Sequence, residues 1–299
     1  MGMGLANAQL FLELKHSGKL KNVKKIAELG SQEIHIKQKD LSNLFNEAGL
    51  NQPDFSLFRD LDNWPQYPRC STKPFYKLLG IDEYTSIDSN GEHGSIQHDW
   101  NTSFNDQKLF NQFDVVTDFG SAEHVFNIVE PYKTLHKLCK QGGLIVISQA
   151  LWGGNGFFLM DRPFIDGIAA ANNYKVISIS YVVCTKETTK NGSNYQFHIP
   201  MNSSLIRTID LNKVVSIQIS AVMEKRDNEE FKIPYEGRMQ AEHYGHFGYK
   251  TVFLRDDTNR EGANRQEYYF LPVFNLDAIK FKTLIIEVFN RLKKKIFRS

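Results

Sequence analysis

FDVVTDFGSAEHVFNIVEPY, Phe113 to Tyr132, sets the fold class of this chain. Its first residues are apolar or β-branched and rise into an acidic, glycine-containing turn, after which a Glu-His pair opens a helical segment. A strand, a turn and a helix in that order form the repeating step of an open α/β sheet, whose ligands bind outside the carboxyl ends of the strands. Chemistry is therefore expected around Asp118 to His124.

The same step recurs on either side. VKKIAELG (Val23–Gly30) reads as a first strand ending in an acid and a glycine, YTSIDSNG (Tyr84–Gly91) as a second, GSIQHDW (Gly94–Trp100) as a short third and Asp114–Thr117 as the fourth. A helix over Phe126–Cys139 closes on Gln141-Gly142-Gly143, glycines that suit a C-cap, before LIVIS (Leu144–Ser148) runs as a buried fifth strand. A helix over Arg162–Asn173 ends on two asparagines tolerant of the left-handed conformation and feeds YKVISISYVV (Tyr174–Val183). After a polar excursion over Thr185–Pro200, VVSIQISAVMEK (Val214–Lys225) is the last long strand. Helices are also expected over Ala6–Leu14, Lys39–Ala48 and Pro74–Leu79, and the three prolines of NWPQYPRCSTKP (Asn63–Pro74) mark a loop or lid.

The expected architecture is a doubly wound, mostly parallel, seven-stranded α/β sheet of Rossmann-like type with an inserted lid and a C-terminal extension. The boundaries expected are a cap helix in 1–22, a main domain over 23–226 with insertions at about 40–75 and 185–212, and an extension over 227–299.

Composition narrows the function. Lys plus Arg is 36 against 34 for Asp plus Glu, a net charge of +2, which argues against the basic field of a nucleic-acid binder. Cys70, Cys139 and Cys184 are scattered outside any zinc-ligand spacing, as expected of a cytoplasmic protein without a structural metal. There is no signal-peptide pattern and no uncharged run long enough to span a bilayer. DAIKFKTLIIEVFNRLKKKIFRS (Asp277–Ser299) reads as a basic amphipathic helix, packed on its own domain or a partner or lying on the inner face of a membrane.

Acids stand after each early strand. Glu28 in ELGSQ can meet a ligand ammonium while Gly30 lets backbone approach closely, and Asp88 can take paired ribose hydroxyls or cap its own Ser-Asn-Gly turn. Asp99 beside Trp100 can hold an adenine amino group and cover the ring, although a tryptophan there can equally be core. Glu123-His124 offers a proton acceptor or, alternatively, a helix-start acid with a packed histidine. His93, His98, His243 and His246 suit substrate contact or structural roles better than a metal, and none is assigned.

With ELGSQ, SIDSNGEHG, QHDWN, FDVVTDFGSAEHV and LCKQGGLIVIS in hand, the chain over about Val23–Val183 resembles class I S-adenosylmethionine-dependent methyltransferases, especially bacterial methyltransferase-like proteins associated with glycan gene clusters. The resemblance implies that Glu28, Gly30, Ser31 and Gln32 line the methionine moiety, Asp88 and Ser89 the ribose, Asp99 and Trp100 the adenine, and Asp118, Phe119 and Gly120 the wall beside the sulfonium. His124 is then the first candidate for a catalytic base and Glu123 the second. The chain departs from the family's E-x-G-x-G-x-G loop, with Gln32 and Ile34 in place of the second and third glycines, and the Gln32 amide could instead bond the amino-acid carboxylate. The implied activity is O- or N-methylation of a small molecule such as a sugar or glycan precursor. Alternatives are a non-catalytic ligand- or partner-binding protein of the same fold and a nucleotide-dependent oxidoreductase, the latter opposed by the lack of G-x-G-x-x-G.

Overall fold

A computed structural model describes residues 2–201, 206, 208–236 and 251–254, with 235–236 and 251–254 as backbone only. In chain order the elements are β1 (Gly2–Met3), α1 (Leu5–His16), β2 (Lys25–Leu29), β3 (Glu33–Ile34), α2 (Gln38–Glu47), α3 (Lys73–Leu78), β4 (Glu83–Asp88), β5 (Ile96–Gln97), β6 (Phe113–Phe119), α4 (Val129–Leu138), β7 (Cys139–Trp152), α5 (Arg162–Ala171), β8 (Tyr174–Thr188), β9 (Asn194–Pro200), β10 (Val214–Lys225), β11 (Ile233–Glu236) and β12 (Thr251–Leu254).

Every residue of β6 is buried, because helices cover both faces of the sheet. One face carries Ile26, Val115, Val146 and Val222 beneath α1, α2 and α3; the other carries Ala27, Val116, Ile145 and Ala221 beneath α4 and α5. The sheet runs β5-β4-β2-β6-β7-β10-β8-β9. The first five strands pair in parallel, β10 is antiparallel to both β7 and β8, and β9 returns antiparallel to β8. Six strands thus share one direction, as expected of a doubly wound sheet, but among the described residues this sheet has eight strands and not seven.

The additional strand is β9, inside the run read as a polar excursion. Its alternation is masked because both faces are covered: Phe197 and Ile199 enter a small apolar cluster, while His198 is buried against α1. The His198 Nε2 donates to the Ala6 carbonyl at 3.0 Å and its Nδ1 accepts from Ser180 Oγ at 2.7 Å. A second difference lies at Gln141-Gly142-Gly143. Helix α4 passes directly into β7 at Cys139, and Gly142, with φ +78°, sits inside the strand near a register shift between Phe113 and Val115. The glycines serve a bulge rather than a helix cap. The third strand is also shorter than expected, because after Gln97 the Asp99 side chain folds the chain into a turn by accepting from the Asn101 N–H at 2.9 Å. Asn173 does adopt the left-handed conformation, at φ +53°.

The long first crossover has a defined neck. Ile34 N–H donates to the Cys70 carbonyl at 2.8 Å, Thr72 N–H to the Gln32 carbonyl at 3.2 Å, and Glu33 bridges Ser71. The chain leaves at Glu33, runs through α2 and the proline-rich segment, and returns beside the loop it left. Helix α3 therefore starts next to Gln32.

At the opposite end of the sheet, Lys225 is fully buried and its Nζ donates to Asn111 Oδ1 at 3.0 Å and to the carbonyls of His136 and Cys139 at 2.7 and 2.8 Å. Lys225→Met removes the donor and leaves three acceptors without it. A loss of about 3 kcal/mol in urea unfolding is expected; a change within experimental error would mean that water replaces the ammonium.

Candidate active site

The chain travels from β2 outward to β4 and β5 and then returns to β6 on the other side of β2. The topological switch point therefore lies between Leu29 and its neighbour Asp118, where an open α/β sheet presents its crevice. Gly30 turns there with φ +87°, its N–H on the Ile87 carbonyl at 2.7 Å, and a Cβ at this position would collide with the Ser121 hydroxyl and the Gln32 amide. Only glycine accommodates this crossing of the first and fourth turns.

Gln32 joins the two turns. Its Nε2 donates to the Leu29 carbonyl at 2.8 Å and to Ser121 Oγ at 2.9 Å, and Ser121 Oγ donates to Leu29 O at 2.9 Å. A carbonyl can only accept, so the amide orientation is determined. Its Oε1 is left buried with no hydrogen-bond partner among the described residues. Gln149, level with Gly120 in the β6–β7 register, repeats the pattern: Nε2 donates to the Asp118 carbonyl at 3.3 Å and Oε1 is buried and unpartnered among the described residues. What Gln32 has to spare is thus an acceptor, suited to an ammonium rather than to a carboxylate.

Asp88, at the end of β4, reaches back across the crevice. Its Oδ2 accepts from Ser31 N–H at 2.7 Å and Ser31 Oγ at 2.8 Å, and its Oδ1 from the N–H of exposed Ser89 at 2.6 Å. It thereby organises both turns, and a ribose would have to compete with Ser31 Oγ for it. Asp99 is exposed and bonded to Asn101, whereas the adjacent Trp100 is buried with its indole N–H unpartnered among the described residues.

The turn after β6 is capped by its own acid. Asp118 is fully buried and accepts from the N–H groups of Ser121 at 2.7 Å and Ala122 at 3.2 Å; burial outweighs these bonds and raises its pKa to about 7. Gly120 is left-handed, at φ +83°. Two side chains at this edge turn away from the crevice. Phe119 meets Phe11 of α1 edge-to-face at 6.3 Å. Glu28, expected along the methionine, is enclosed beneath α3, with Thr72 Oγ1 and Tyr84 OH on Oε2 at 2.6 and 2.7 Å and Tyr76 OH on Oε1 at 2.6 Å. Strand alternation puts it on the same face as Ile26. Burial outweighs the three hydroxyls and raises its pKa to about 7.

Glu123 and His124 lie in a short 3-10 turn, with Glu123 Oε1 at 3.6 Å from His124 Nε2. Burial raises the Glu123 pKa and lowers that of His124, and the His124 Nε2 is buried without a hydrogen bond among the described residues. The loop after β7, which the sequence reading passed over, holds this pair in place. The Ala150 N–H donates to Glu123 Oε2 at 2.5 Å, Phe157 N–H donates to the Glu123 carbonyl at 2.8 Å, and a Cβ on Gly156 would strike that carbonyl. The signal was the glycine run Gly153-Gly154-Asn155-Gly156 directly after a strand at the same sheet edge. Beside it Phe126 and Phe157 are 74% and 67% exposed and pair edge-to-face at 5.6 Å.

Among the described residues no helix is long and apolar enough to cross a membrane. His243, His246 and the basic run 277–299 lie outside the described residues.

No family model and no curated protein matches the chain. Its fold is similar to solved S-adenosylmethionine-dependent enzymes, among them a SAM-dependent methyltransferase from Archaeoglobus fulgidus, with 12% identity, a TM-score of 0.36 and coverage of 73% of this chain and 94% of that one. The CMeT domain of the citrinin polyketide synthase shares 10% identity over 74% of this chain and 52% of that one, with a TM-score of 0.38. Phosphoethanolamine N-methyltransferase 2 from Haemonchus contortus, in complex with S-adenosyl-L-methionine, shares 10% identity over 74% of this chain and 53% of that one, with a TM-score of 0.36. At such values the likeness carries no weight beyond the strand order, which establishes the α/β architecture by itself.

Proposed function

We infer that the chain is an S-adenosylmethionine-dependent methyltransferase acting on an oxygen or nitrogen of a small molecule, with a sugar or glycan precursor as the acceptor class. The observation that carries this is the chemistry of the spare groups at the switch point. Gln32 Oε1 and Gln149 Oε1 are acceptors with no donor among the described residues, and the acids Asp118 and Glu123 stand in the neighbouring turn. Unsatisfied acceptors favour a cationic ligand, and the proposed cofactor bears both an ammonium and a sulfonium. The left-handed Gly30 lets the first and fourth turns cross closely at the same place.

In this arrangement Gly30, Ser31 and Gln32 hold the amino-acid end, Asp88 and Ser89 the ribose, and Asp99 with Trp100 the adenine. The backbone of Asp118 to Gly120 walls the sulfonium. The cofactor supplies an electrophilic methyl group; the protein supplies alignment and proton removal. His124 takes the proton of the acceptor as the new bond to carbon forms, and Glu123, 3.6 Å from its Nε2, stabilises the resulting imidazolium. The loop Gly153–Phe157 positions Glu123 and brings the exposed Phe126–Phe157 pair to the acceptor side.

Calorimetric titration of the full chain with S-adenosylhomocysteine tests the cofactor. One site per chain is expected, weakened about tenfold in Asp99→Ala through loss of one charge-assisted hydrogen bond, with unchanged circular dichroism showing that the variant folds. Absence of binding to the wild type would instead favour the non-catalytic alternative, which the saturation of Asp88 by Ser31 and Ser89 supports.

A further inference from the structure

The neck of the inserted segment gathers a set of groups that the crevice does not use. Glu33, where the chain leaves, is buried, and its Oε1 lies 3.7 Å from His93 Nε2 in the turn after β4. Glu92 adjoins them, so that one donor atom from each of Glu33, Glu92 and His93 falls within 4.8 Å of the others. A further nitrogen points at the same carboxylate. His35 Nε2, buried and without a hydrogen-bond partner among the described residues, is 3.9 Å from Glu33 Oε2.

These groups are held in place. Arg69 Nη1 donates to Glu33 Oε2 at 2.9 Å while its guanidinium stacks on Trp64 and Tyr67, 4.6 and 3.8 Å from their ring centroids. Asn90 Nδ2 donates to Glu92 Oε2 at 3.3 Å. Carboxylate ligands of metal ions are characteristically oriented by such outer partners. With Glu33, Glu92 and Asp60 against Arg59 and Arg69 around the cavity, the cluster has an excess of negative charge, and Arg69 occupies one oxygen of Glu33 and leaves the other towards His93. The three residues also line a cavity of about 500 Å³, with Arg59 and Tyr67 in its wall, which gives room for water or ligand oxygens to complete a coordination shell.

The geometry points to a binding site for one divalent first-row transition ion, with Glu33, Glu92 and His93 as ligands and the unpartnered His35 beside them on the Glu33 carboxylate. A mixed imidazole and carboxylate set suits Mn²⁺ or Zn²⁺ over Mg²⁺ or Ca²⁺, which take oxygen alone. The site stands beside the cofactor crevice and does not depend on what that crevice binds. Open positions on the ion would take oxygens of a ligand entering the cavity.

Calorimetric titration of the chelator-treated full chain with ZnCl₂ and MnCl₂ tests it, together with the visible absorption of the Co²⁺ form. One saturable site per chain is expected, weakened more than about tenfold in His93→Ala and in Glu92→Gln, with Co²⁺ bands that change in His93→Ala and remain in His16→Ala, an exposed histidine elsewhere. Both ligand positions are exposed, and unchanged circular dichroism shows that the variants fold. No saturable binding, or binding and Co²⁺ bands that survive His93→Ala, overturns the assignment and leaves the cluster as an ion-pair latch on the neck.

Discussion

Glu28→Gln is expected to become more stable relative to the wild type as pH rises from 4.5 to 8, by about 3 kcal/mol across that range. In the fold the carboxyl is displaced from 4.5 to about 7 by burial, which outweighs the hydroxyls of Thr72, Tyr76 and Tyr84. A raised folded pKa means that the protonated form is favoured in the native state. Its contribution is complete below 4.5 and is lost as pH rises through 7, at roughly 1.4 kcal/mol per unit of displacement. Glutamine stays neutral throughout and keeps polar atoms for the same hydroxyls. Urea unfolding of both proteins at pH 4.5 and 8 measures the difference. Asp118, also raised to about 7, and Glu33, held at about 2, contribute in opposite directions but are common to both chains and cancel. A difference independent of pH would mean that Glu28 is ionised in the folded protein.

The second large effect is expected at His124. His124→Ala should lower kcat for a hydroxyl acceptor by about 10²-fold or more, the loss typical of a missing general base, while S-adenosylhomocysteine affinity stays the same. Burial lowers the pKa of this imidazole below its ordinary 6.5, so the ring is neutral and able to accept a proton at pH 7. Activity should fall on acidification with a midpoint below 6.5, and the imidazole resonances of His124 should titrate with the same midpoint in NMR. Unchanged turnover in His124→Ala would make this histidine structural and move the proton-accepting role to Glu123, whose pKa is raised.

Much of the fold was legible in the chain because buried parallel strands are continuous apolar runs bounded by turn residues. Phe113–Phe119 and Leu144–Ser148 are of this kind and appear where the pattern puts them. Strand β9 escaped because helix α1 covers the face that its polar residues occupy, and Gln196 and His198 satisfy their hydrogen bonds on backbone groups of that helix and on neighbouring side chains. Local patterning cannot report a partner about 190 residues away. The same limit applies to Gly142-Gly143, whose two locally equivalent uses, helix cap or bulge, differ only in how β7 pairs with β6.

The candidate site divides in the same way. Gly30, Asp88, Asp118 and the Glu123-His124 pair announce themselves by chemical type at strand ends, since strand order places those ends on one edge. Which side chains face the crevice depends on the alternation within each strand and on what packs above it. That alternation turns Glu28 into the core with Tyr76 and leaves Gln32, which in sequence looked like a lost glycine, as the link between the first and fourth turns.

The alternation of the central strands and helices, from β2 to β8, and the acids at the carboxyl ends of the early strands were determined by the sequence alone, because hydrophobic period and turn chemistry are local properties. The tertiary structure decided the orientation of Glu28, the pairing of Asp88 with Ser31, the clamp of the Gly153–Phe157 loop on Glu123 and the meeting of Glu33 with Glu92 and His93. Each of these joins residues distant along the chain, and only packing brings them within hydrogen-bonding or coordinating reach.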